Sequence, residues 1–293
     1  MIPQAWLKRI RRVQIKSRLV SEQIMAGNTT SIFRGRGLDF AEVREYVPGD
    51  DVRRIYWNVT GRMRKPFVRR YVEERELLIM LLVDISGSGD FGTTGRTKRE
   101  LAAELAGALA FSALRDNDRV GLVLFTDTVE RYLPPRRSLQ HVLRLIRDLL
   151  YHPVRGLGTS LNTALAFLQR VVHRPAVVFL VSDFLDEGYE RQLKAANQRH
   201  DVIAIKLVDP RELALPDVGG AMLQDPETGD VLEVNTADPA LRAAYARALA
   251  ERAAASKRFF GQSKIGLLEL MAGQPYQRRL QSFFEQRSRT KVA

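Results

Sequence analysis

Nine residues, DISGSGDFG from Asp84 to Gly92, carry two overlapping motifs that imply different chemistry. Asp84, Ser86 and Ser88 spell D-x-S-x-S, which places one carboxylate and two hydroxyl groups at alternate positions. Such hard oxygen ligands suit a divalent cation such as Mg²⁺. The three glycines of the same stretch spell G-x-G-x-x-G, the turn that holds the pyrophosphate of a dinucleotide. One motif predicts a metal-dependent binding site, and the other predicts a redox enzyme.

The dinucleotide interpretation is disfavoured by its context. In a dinucleotide site the helix begins within the glycine motif, so that its N-terminal amides face the pyrophosphate. Here the helical pattern starts only near Thr97. Asp127, which ends the next predicted strand, lies about 40 residues beyond Gly87, outside a unit of about 30 residues. Asp84 and Asp90 would also face the pyrophosphate without a neutralising charge.

Two other loops supply further oxygen ligands for a cation. Thr159 precedes a predicted helix, and Asp183 ends the apolar run AVVFLVSD. Because the carboxyl ends of parallel strands gather along one edge of an open sheet, both side chains are expected near the Asp84 loop. Asp84 and Asp183 would then repel by about 3 kcal/mol at about 5 Å and an effective dielectric constant of about 20, and a divalent cation would reverse this repulsion. The candidate metal ligands are therefore Asp84, Ser86, Ser88, Thr159 and Asp183.

The elements that must position these residues follow the pattern of an α/β fold. From Leu77 onward, short apolar runs alternate with helical patterns, which is typical of a mainly parallel sheet. The run LLIMLLVD, residues 77–84, is apolar throughout, as expected of a central strand that is buried on both faces. We predict further strands at residues 120–127, 129–134, 176–183, 201–209 and 264–270, and helices at 97–115, 138–150, 160–172, 189–199, 238–260 and 275–286.

The predicted organisation is a doubly wound, mainly parallel α/β domain over residues 76–293, preceded by an N-terminal extension over residues 1–75. A β-hairpin insertion is expected near residues 218–236, since Pro226, Thr228 and Gly229 favour a turn there. The extension lacks the alternating pattern. It contains a basic amphipathic helix from Gln4 to Met25 and is expected to pack beside the α/β domain.

Composition limits the function classes. A chain of 293 residues with 45% hydrophobic content can bury a substantial core. Cysteine is absent, which excludes disulfides, thiolate metal sites and cysteine nucleophiles and fits a reducing compartment. The longest apolar run, Leu77 to Val83, is far shorter than the roughly 20 residues of a membrane helix, and the N-terminus has no signal-peptide core. We expect a cytoplasmic protein without a transmembrane segment.

The net charge of +12 is concentrated at the two ends of the chain. Residues 1–76 contain 17 Lys and Arg against 9 Asp and Glu, and residues 277–293 contain 5 against 1, which leaves the 200 residues between them neutral overall. Basic ends favour contact with an acidic surface. The alternative function is therefore a protein that binds nucleic acid or an anionic surface through its termini.

Enzymatic function is disfavoured. Neither a zinc motif such as H-E-x-x-H nor the G-x-S-x-G elbow of a serine hydrolase occurs. A hydrolase that activates water on a metal held by Asp84 and Asp183 is conceivable chemically, but the sequence offers no general base beside it. The histidines show no ligand spacing and are expected at the surface or at helix ends; they are His141, His152, His173 and His200.

In this order, Asp84-x-Ser86-x-Ser88, Thr159 and Asp183 resemble the metal-ion-dependent adhesion site of von Willebrand factor A-type domains. The resemblance covers about residues 76 to 210, together with the last predicted strand and helix. It implies Mg²⁺, or Mn²⁺ or Ca²⁺, near the first three residues, with Thr159 binding directly or through water and Asp183 through water. A partner's acidic side chain would complete the shell, and the glycines would let the loop wrap closely around the cation. Such domains bind proteins and are not catalysts.

The segment FRGRGLDFAEVREYVPGDDVRRIYWN, from Phe33 to Asn58, looks like the signature of bacterial proteins of domain-of-unknown-function family 58, in which it precedes an A-type domain. Members of this family are associated with MoxR-type AAA+ ATPases, which are chaperone-like machines. The resemblance therefore implies an accessory or adaptor protein of such an ATPase. The ATPase or its client would supply the acidic ligand, and nucleic acid is the less favoured partner.

Overall fold

The computed structural model describes residues 4–25, 42–47, 50, 57–63, 65–70, 76–93 and 95–292. Contacts divide the chain into two compact units, which are residues Met1–Ile32 with Leu77–Ala293 and residues Phe33–Glu76. The first helix, α1 (Gln4–Met25), has the bounds that its sequence pattern predicts. The predicted boundary at residue 75 assigns α1 to the N-terminal extension. The contacts in the structure instead group it with the α/β unit.

The smaller unit contains β1 (Glu42–Glu45), α2 (Trp57–Met63) and β2 (Phe67–Arg70). The two strands pair antiparallel along their whole length. Thr60 links the helix to the second strand, because its Oγ1 accepts a hydrogen bond of 3.0 Å from the backbone N–H of Phe67. Most of the segment that resembles the family signature lies outside the described residues.

The larger unit alternates strands and helices in the order that the sequence predicts. Its strands are β3 (Leu78–Asp84), β4 (Arg119–Phe125), β5 (Val129–Arg136), β6 (Val177–Ser182), β7 (Asp201–Val208), β8 (Gly220–Gln224), β9 (Val231–Asn235) and β10 (Gly266–Met271). Its remaining helices are α3 (Lys98–Arg115), α4 (Leu139–Tyr151), α5 (Leu161–Val171), α6 (Glu190–Arg199), α7 (Pro239–Gln262) and α8 (Gln277–Val292).

A six-stranded sheet in the order β10-β7-β6-β3-β4-β5 forms the centre of this unit. Neighbouring strands are parallel except β4 and β5, which form an antiparallel pair. From Ile79 to Val83, every residue of β3 is fully buried, which explains the continuous apolar run. The predicted fold, a doubly wound and mainly parallel α/β sheet of the von Willebrand factor A or Rossmann type, is confirmed.

Helix α3 is buried on nearly all sides because α1 covers the face that the sheet leaves open. Residues Val13, Ser17 and Val20 of α1 are spaced by four and three positions and lie in the contact. Ser17 is completely buried, and its Oγ donates a hydrogen bond of 2.8 Å to the backbone carbonyl of Glu104. The Ala-rich sequence of α3 thus packs against helices as well as strands.

The predicted β-hairpin is formed by β8 and β9, which pair antiparallel outside the central sheet. Its strands are mostly exposed, with Met222 at 74% and Leu232 at 64% of full exposure. Among the described helices, none combines the length and the apolar character needed to cross a membrane.

Candidate metal-binding site

The candidate ligands lie at the carboxyl end of the sheet, where its winding changes direction. Asp84 is the last residue of β3, and Asp183 directly follows β6, the parallel neighbour of β3. From β3 the chain continues to β4 on one side, whereas from β6 it continues to β7 and β10 on the other. Such a switch point opens a crevice between adjacent strands, and it is where open α/β sheets usually bind ligands.

Hydrogen bonds join four of the five predicted ligands in one network. Asp84 accepts from the backbone N–H of Ser86 at 2.9 Å and from the Oγ of Ser182 at 2.7 Å. The Oγ atoms of Ser86 and Ser88 are 3.2 Å apart, and Ser88 Oγ donates to Asp183 Oδ2 at 2.9 Å. The alternate spacing of D-x-S-x-S and the topology of the sheet therefore bring these side chains to one place.

Thr159 lies at the rim of the same site and has a different contact. Its Oγ1 donates a hydrogen bond of 2.7 Å to Oε1 of Glu227, which belongs to the hairpin between β8 and β9. Ser88, Thr159 and Glu227 all line one cavity of about 780 Å³. Thr159 thus lies beside the cavity, and its side chain is hydrogen-bonded to Glu227 and not to the other four predicted ligands.

Electrostatics at the base of the site oppose a charged Asp84 in the metal-free protein. Burial of the carboxylate, followed by the negative charge of Asp183, raises the pKa of Asp84 to about 6. The hydrogen bonds from Ser86 and Ser182 act in the opposite direction and do not compensate. A positive charge beside Asp84 would remove this penalty.

Comparison with known proteins places the chain in a family. The family described as "Protein of unknown function DUF58" matches residues 42–255. This chain belongs to the DUF58 family. A protein of Mycobacterium tuberculosis is 37% identical to it over 244 residues, which are 82% of this chain and 77% of the relative. A protein of Mycobacterium avium is 40% identical over 121 residues, which are 40% of this chain and 70% of the relative.

Solved structures similar to this DUF58 protein include BatB from Bacteroides thetaiotaomicron, with a TM-score of 0.47 and 16% identity over 73% of this chain and 99% of BatB. An aerotolerance-related membrane protein from Bacteroides fragilis has a TM-score of 0.49 and 15% identity over 72% of this chain and 99% of its own. Proximal thread matrix protein 1 from the mussel byssus, with a zinc-occupied MIDAS motif, has a TM-score of 0.37 and 17% identity over 45% of this chain and 38% of its own.

Lys98 is a charged residue of the site that belongs to neither predicted motif. Its ammonium group is buried and donates to Asp183 Oδ2 at 2.9 Å and to Glu212 Oε1 at 2.6 Å. Burial lowers the pKa of Lys98, but the two carboxylates outweigh it and leave the pKa above its ordinary value. Lys98 is the first residue of α3, where the helix dipole disfavours a cation. This position is the signal in the sequence that Lys98 has a carboxylate partner.

The donor set of the DUF58 site fits a hard divalent cation. Neighbouring oxygens around octahedral Mg²⁺ lie about 3 Å apart, because each metal–oxygen bond is about 2.1 Å long. The Oγ atoms of Ser86 and Ser88 lie 3.2 Å apart, which is compatible with neighbouring ligand positions on such an ion. Asp183 is shared with Lys98, which favours an outer role for its carboxylate. Across the described residues, no group of three or more His, Cys, Asp and Glu is placed to hold a metal, so the candidate site depends on hydroxyls.

Two of the three glycines in the loop lie in close contact with other segments of backbone. A Cβ added at Gly87 would overlap the carbonyl oxygen of Pro226 in the hairpin turn. One added at Gly92 would overlap the backbone of Arg96, whereas one at Gly89 would meet only the Cβ of Arg99 at 3.9 Å. Gly87 and Gly92 are therefore required by close contacts between segments of backbone.

Proposed function

We propose that this DUF58 protein is a divalent-cation-dependent protein-interaction module. The observation that carries the proposal is the network of Asp84, Ser86, Ser88 and Asp183 at the switch point of the sheet. Carboxylate and hydroxyl oxygens gathered at one point are the donor chemistry of a Mg²⁺ site. The raised pKa of Asp84 supports the same conclusion, because a buried carboxylate beside another carboxylate is stabilised by a cation.

Residues of this chain would hold the ion in two ways. Asp84, Ser86 and Ser88 would contact it, while Asp183 and Thr159 would act from further out or through water. A bound Mg²⁺ supplies a Lewis-acidic centre that can accept a carboxylate from another molecule. The ion pair of Lys98 with Asp183 and Glu212 fixes the Asp183 carboxylate and limits how much negative charge the site presents. A coordination position would therefore remain for a further carboxylate.

We further propose that the partner is a MoxR-type AAA+ ATPase or its client, as the resemblance to family 58 implies, and that the protein binds without catalysing a reaction. The charged groups around the network support a binding role. Glu227 accepts a hydrogen bond from Thr159, and Glu212 is paired with Lys98, so both carboxylates are engaged in contacts within the chain.

The test is a calorimetric titration of the full chain with MgCl₂, comparing wild type with Asp84→Asn. The control is Asp127→Asn, which removes an exposed carboxylate that follows β4 and lies outside the network. We expect binding to wild type and to the control and none to Asp84→Asn. A pull-down with the purified MoxR-type ATPase of the same organism should then require Mg²⁺ and Asp84. Equal heats for all three proteins would refute the metal site, and capture that persists in chelator would refute its role in partner binding.

A further inference from the structure

The turn between β8 and β9 is built to hold Glu227 in place. The side chain of Asp225 accepts hydrogen bonds from the backbone N–H groups of Glu227 at 2.8 Å and Thr228 at 3.3 Å. Gly229 closes the turn in the left-handed region, with φ of 78°. A turn capped in this way has few alternative conformations, so the position of Glu227 follows from the position of the hairpin.

The tip of this hairpin lies against both loops that carry candidate ligands. Pro226 packs its carbonyl so closely on Gly87 that no side chain fits there. On the other loop, Glu227 Oε1 accepts the hydrogen bond of 2.7 Å from Thr159, and Glu227 Oε2 is 3.8 Å from a Cβ built on Gly158. The carboxylate of Glu227 thus lies beside Thr159, in the cavity that Ser88 also lines.

Hydrophobic burial does not explain why the hairpin tip lies there. The side chains of Met222, Val231 and Leu232 remain 74%, 53% and 64% exposed, so the strands gain little from covering the sheet. The tip instead makes a close backbone approach to Gly87 and a hydrogen bond with Thr159, which belong to the two loops of the site. A carboxylate held at such a position is chemically equivalent to the acidic ligand expected from a partner.

We propose that Glu227 is an internal ligand of the candidate cation. Its carboxylate occupies the open coordination position from within the same chain, beside Thr159. A partner's acidic side chain therefore has to displace the hairpin tip before it can bind the ion. This inference rests on the proposed function, since it requires a cation held by Asp84, Ser86 and Ser88.

The test uses Mn²⁺ as the probe and the full chain in four forms: wild type, Asp84→Asn, Glu227→Gln and Glu233→Gln. Gln keeps the size of the side chain and an acceptor for Thr159 but removes the charge. Glu233 is an exposed residue of β9 in the same hairpin, and it does not line the cavity. Affinity is measured by calorimetry, and the number of water molecules on bound Mn²⁺ by electron paramagnetic resonance in ¹⁷O-enriched water.

We expect Glu227→Gln to lower Mn²⁺ affinity by about tenfold or more and to add one water to the ion, because a charged ligand is replaced by solvent. Added acetate should displace that extra water in Glu227→Gln and leave the wild-type spectrum unchanged. Glu233→Gln should match wild type in every measurement.

Two outcomes would overturn the inference in distinguishable ways. If wild type binds Mn²⁺, Asp84→Asn does not, and Glu227→Gln matches wild type in affinity and water count, the cation site stands and Glu227 is not its ligand. If wild type itself binds neither Mn²⁺ nor Mg²⁺, the proposed function and the internal ligand fail together.

Discussion

At the scale of single residues, the candidate site balances negative charge against one buried cation. Asp84 ends β3 and Asp183 follows the adjacent strand β6, and Lys98 neutralises only Asp183. Lys98 is also shared with Glu212, so its charge is divided between two carboxylates. Asp84 accepts hydrogen bonds from neutral groups of Ser86 and Ser182, which reduce the cost of its charge without removing it. Asp84 therefore makes the stability of the metal-free protein depend on pH.

We expect Asp84→Asn to stabilise the metal-free protein relative to wild type above about pH 6. The pKa of Asp84 rises from 3.8 in its ordinary state to about 6 in the fold. The protonated carboxyl therefore favours the fold below about pH 4, and this contribution is lost as the pH rises through about 6. The advantage of Asp84→Asn over wild type in free energy of unfolding should be about 2 to 3 kcal/mol larger near pH 7 than near pH 4.

Urea denaturation in chelator from about pH 4 to about pH 8 measures this difference directly. Asp127→Asn is the control, and its free energy of unfolding should follow that of wild type at every pH. An Asp84→Asn difference that does not change with pH would show that the burial of Asp84 carries no such penalty.

At the scale of elements, the hairpin and the Asp84 loop are positioned by contact between their backbones. Only a residue without a side chain leaves room for Pro226 over Gly87. Gly89, two positions further on, has no such contact. The two glycines therefore form a matched pair for testing whether the hairpin tip rests on the loop.

Gly87→Ala should destabilise the protein by about 1 to 3 kcal/mol and release the hairpin tip, since the neighbouring atom is backbone and cannot rotate away. Gly89→Ala should change the free energy of unfolding very little. Limited proteolysis within residues 225–230 should accelerate for Gly87→Ala alone, and thermal unfolding should give the loss of stability. Equal protection of the tip in both variants would mean that the contact with Gly87 does not hold the hairpin in place.

The sequence predicts most elements of this molecule because their signals are local. The run from Leu77 to Asp84 predicts a central strand, and Asp238 with Pro239 predicts the start of α7, where Asp238 caps the helix as expected. The convergence of Asp183 on the Asp84 loop follows from a general rule about parallel sheets. The contacts of Lys98 with Asp183 and of Thr159 with Glu227 could not be predicted, because they join residues 85 and 68 positions apart through loop conformations that no periodicity encodes.

At the scale of the whole molecule, part of the basic charge at the chain ends is used within the protein. Arg9 and Lys16 of α1 pair with Glu100 and Glu104 of α3, at 2.5 Å and 3.2 Å. Near the other end, Arg287 pairs with Asp201. These contacts favour an internal, structural role for some of the charge that the nucleic-acid hypothesis assigns to an external partner. They also make α1 an integral part of the α/β unit.

Helices α1 and α3 pack closely against each other at Gly107. A Cβ added at Gly107 would lie 2.5 Å from the Oγ of Ser17 and 3.0 Å from Cδ1 of Ile146, so the two helices would have to move apart. We expect Gly107→Ala to lower the free energy of unfolding by about 1 to 3 kcal/mol, although alanine is the better helix former.

Chemical denaturation of Gly107→Ala, compared with Gly261→Ala, separates the contact from helix propensity. Gly261 lies in α7 with no heavy atom within 4 Å of an added Cβ, so its substitution should be neutral or slightly stabilising. A second change, Ser17→Gly, should be less harmful in the Gly107→Ala background than in wild type, because it removes the overlapping atoms. If the effects of Ser17→Gly and Gly107→Ala simply add, the two residues are not coupled, and close packing at this point does not hold α1 on the α/β unit.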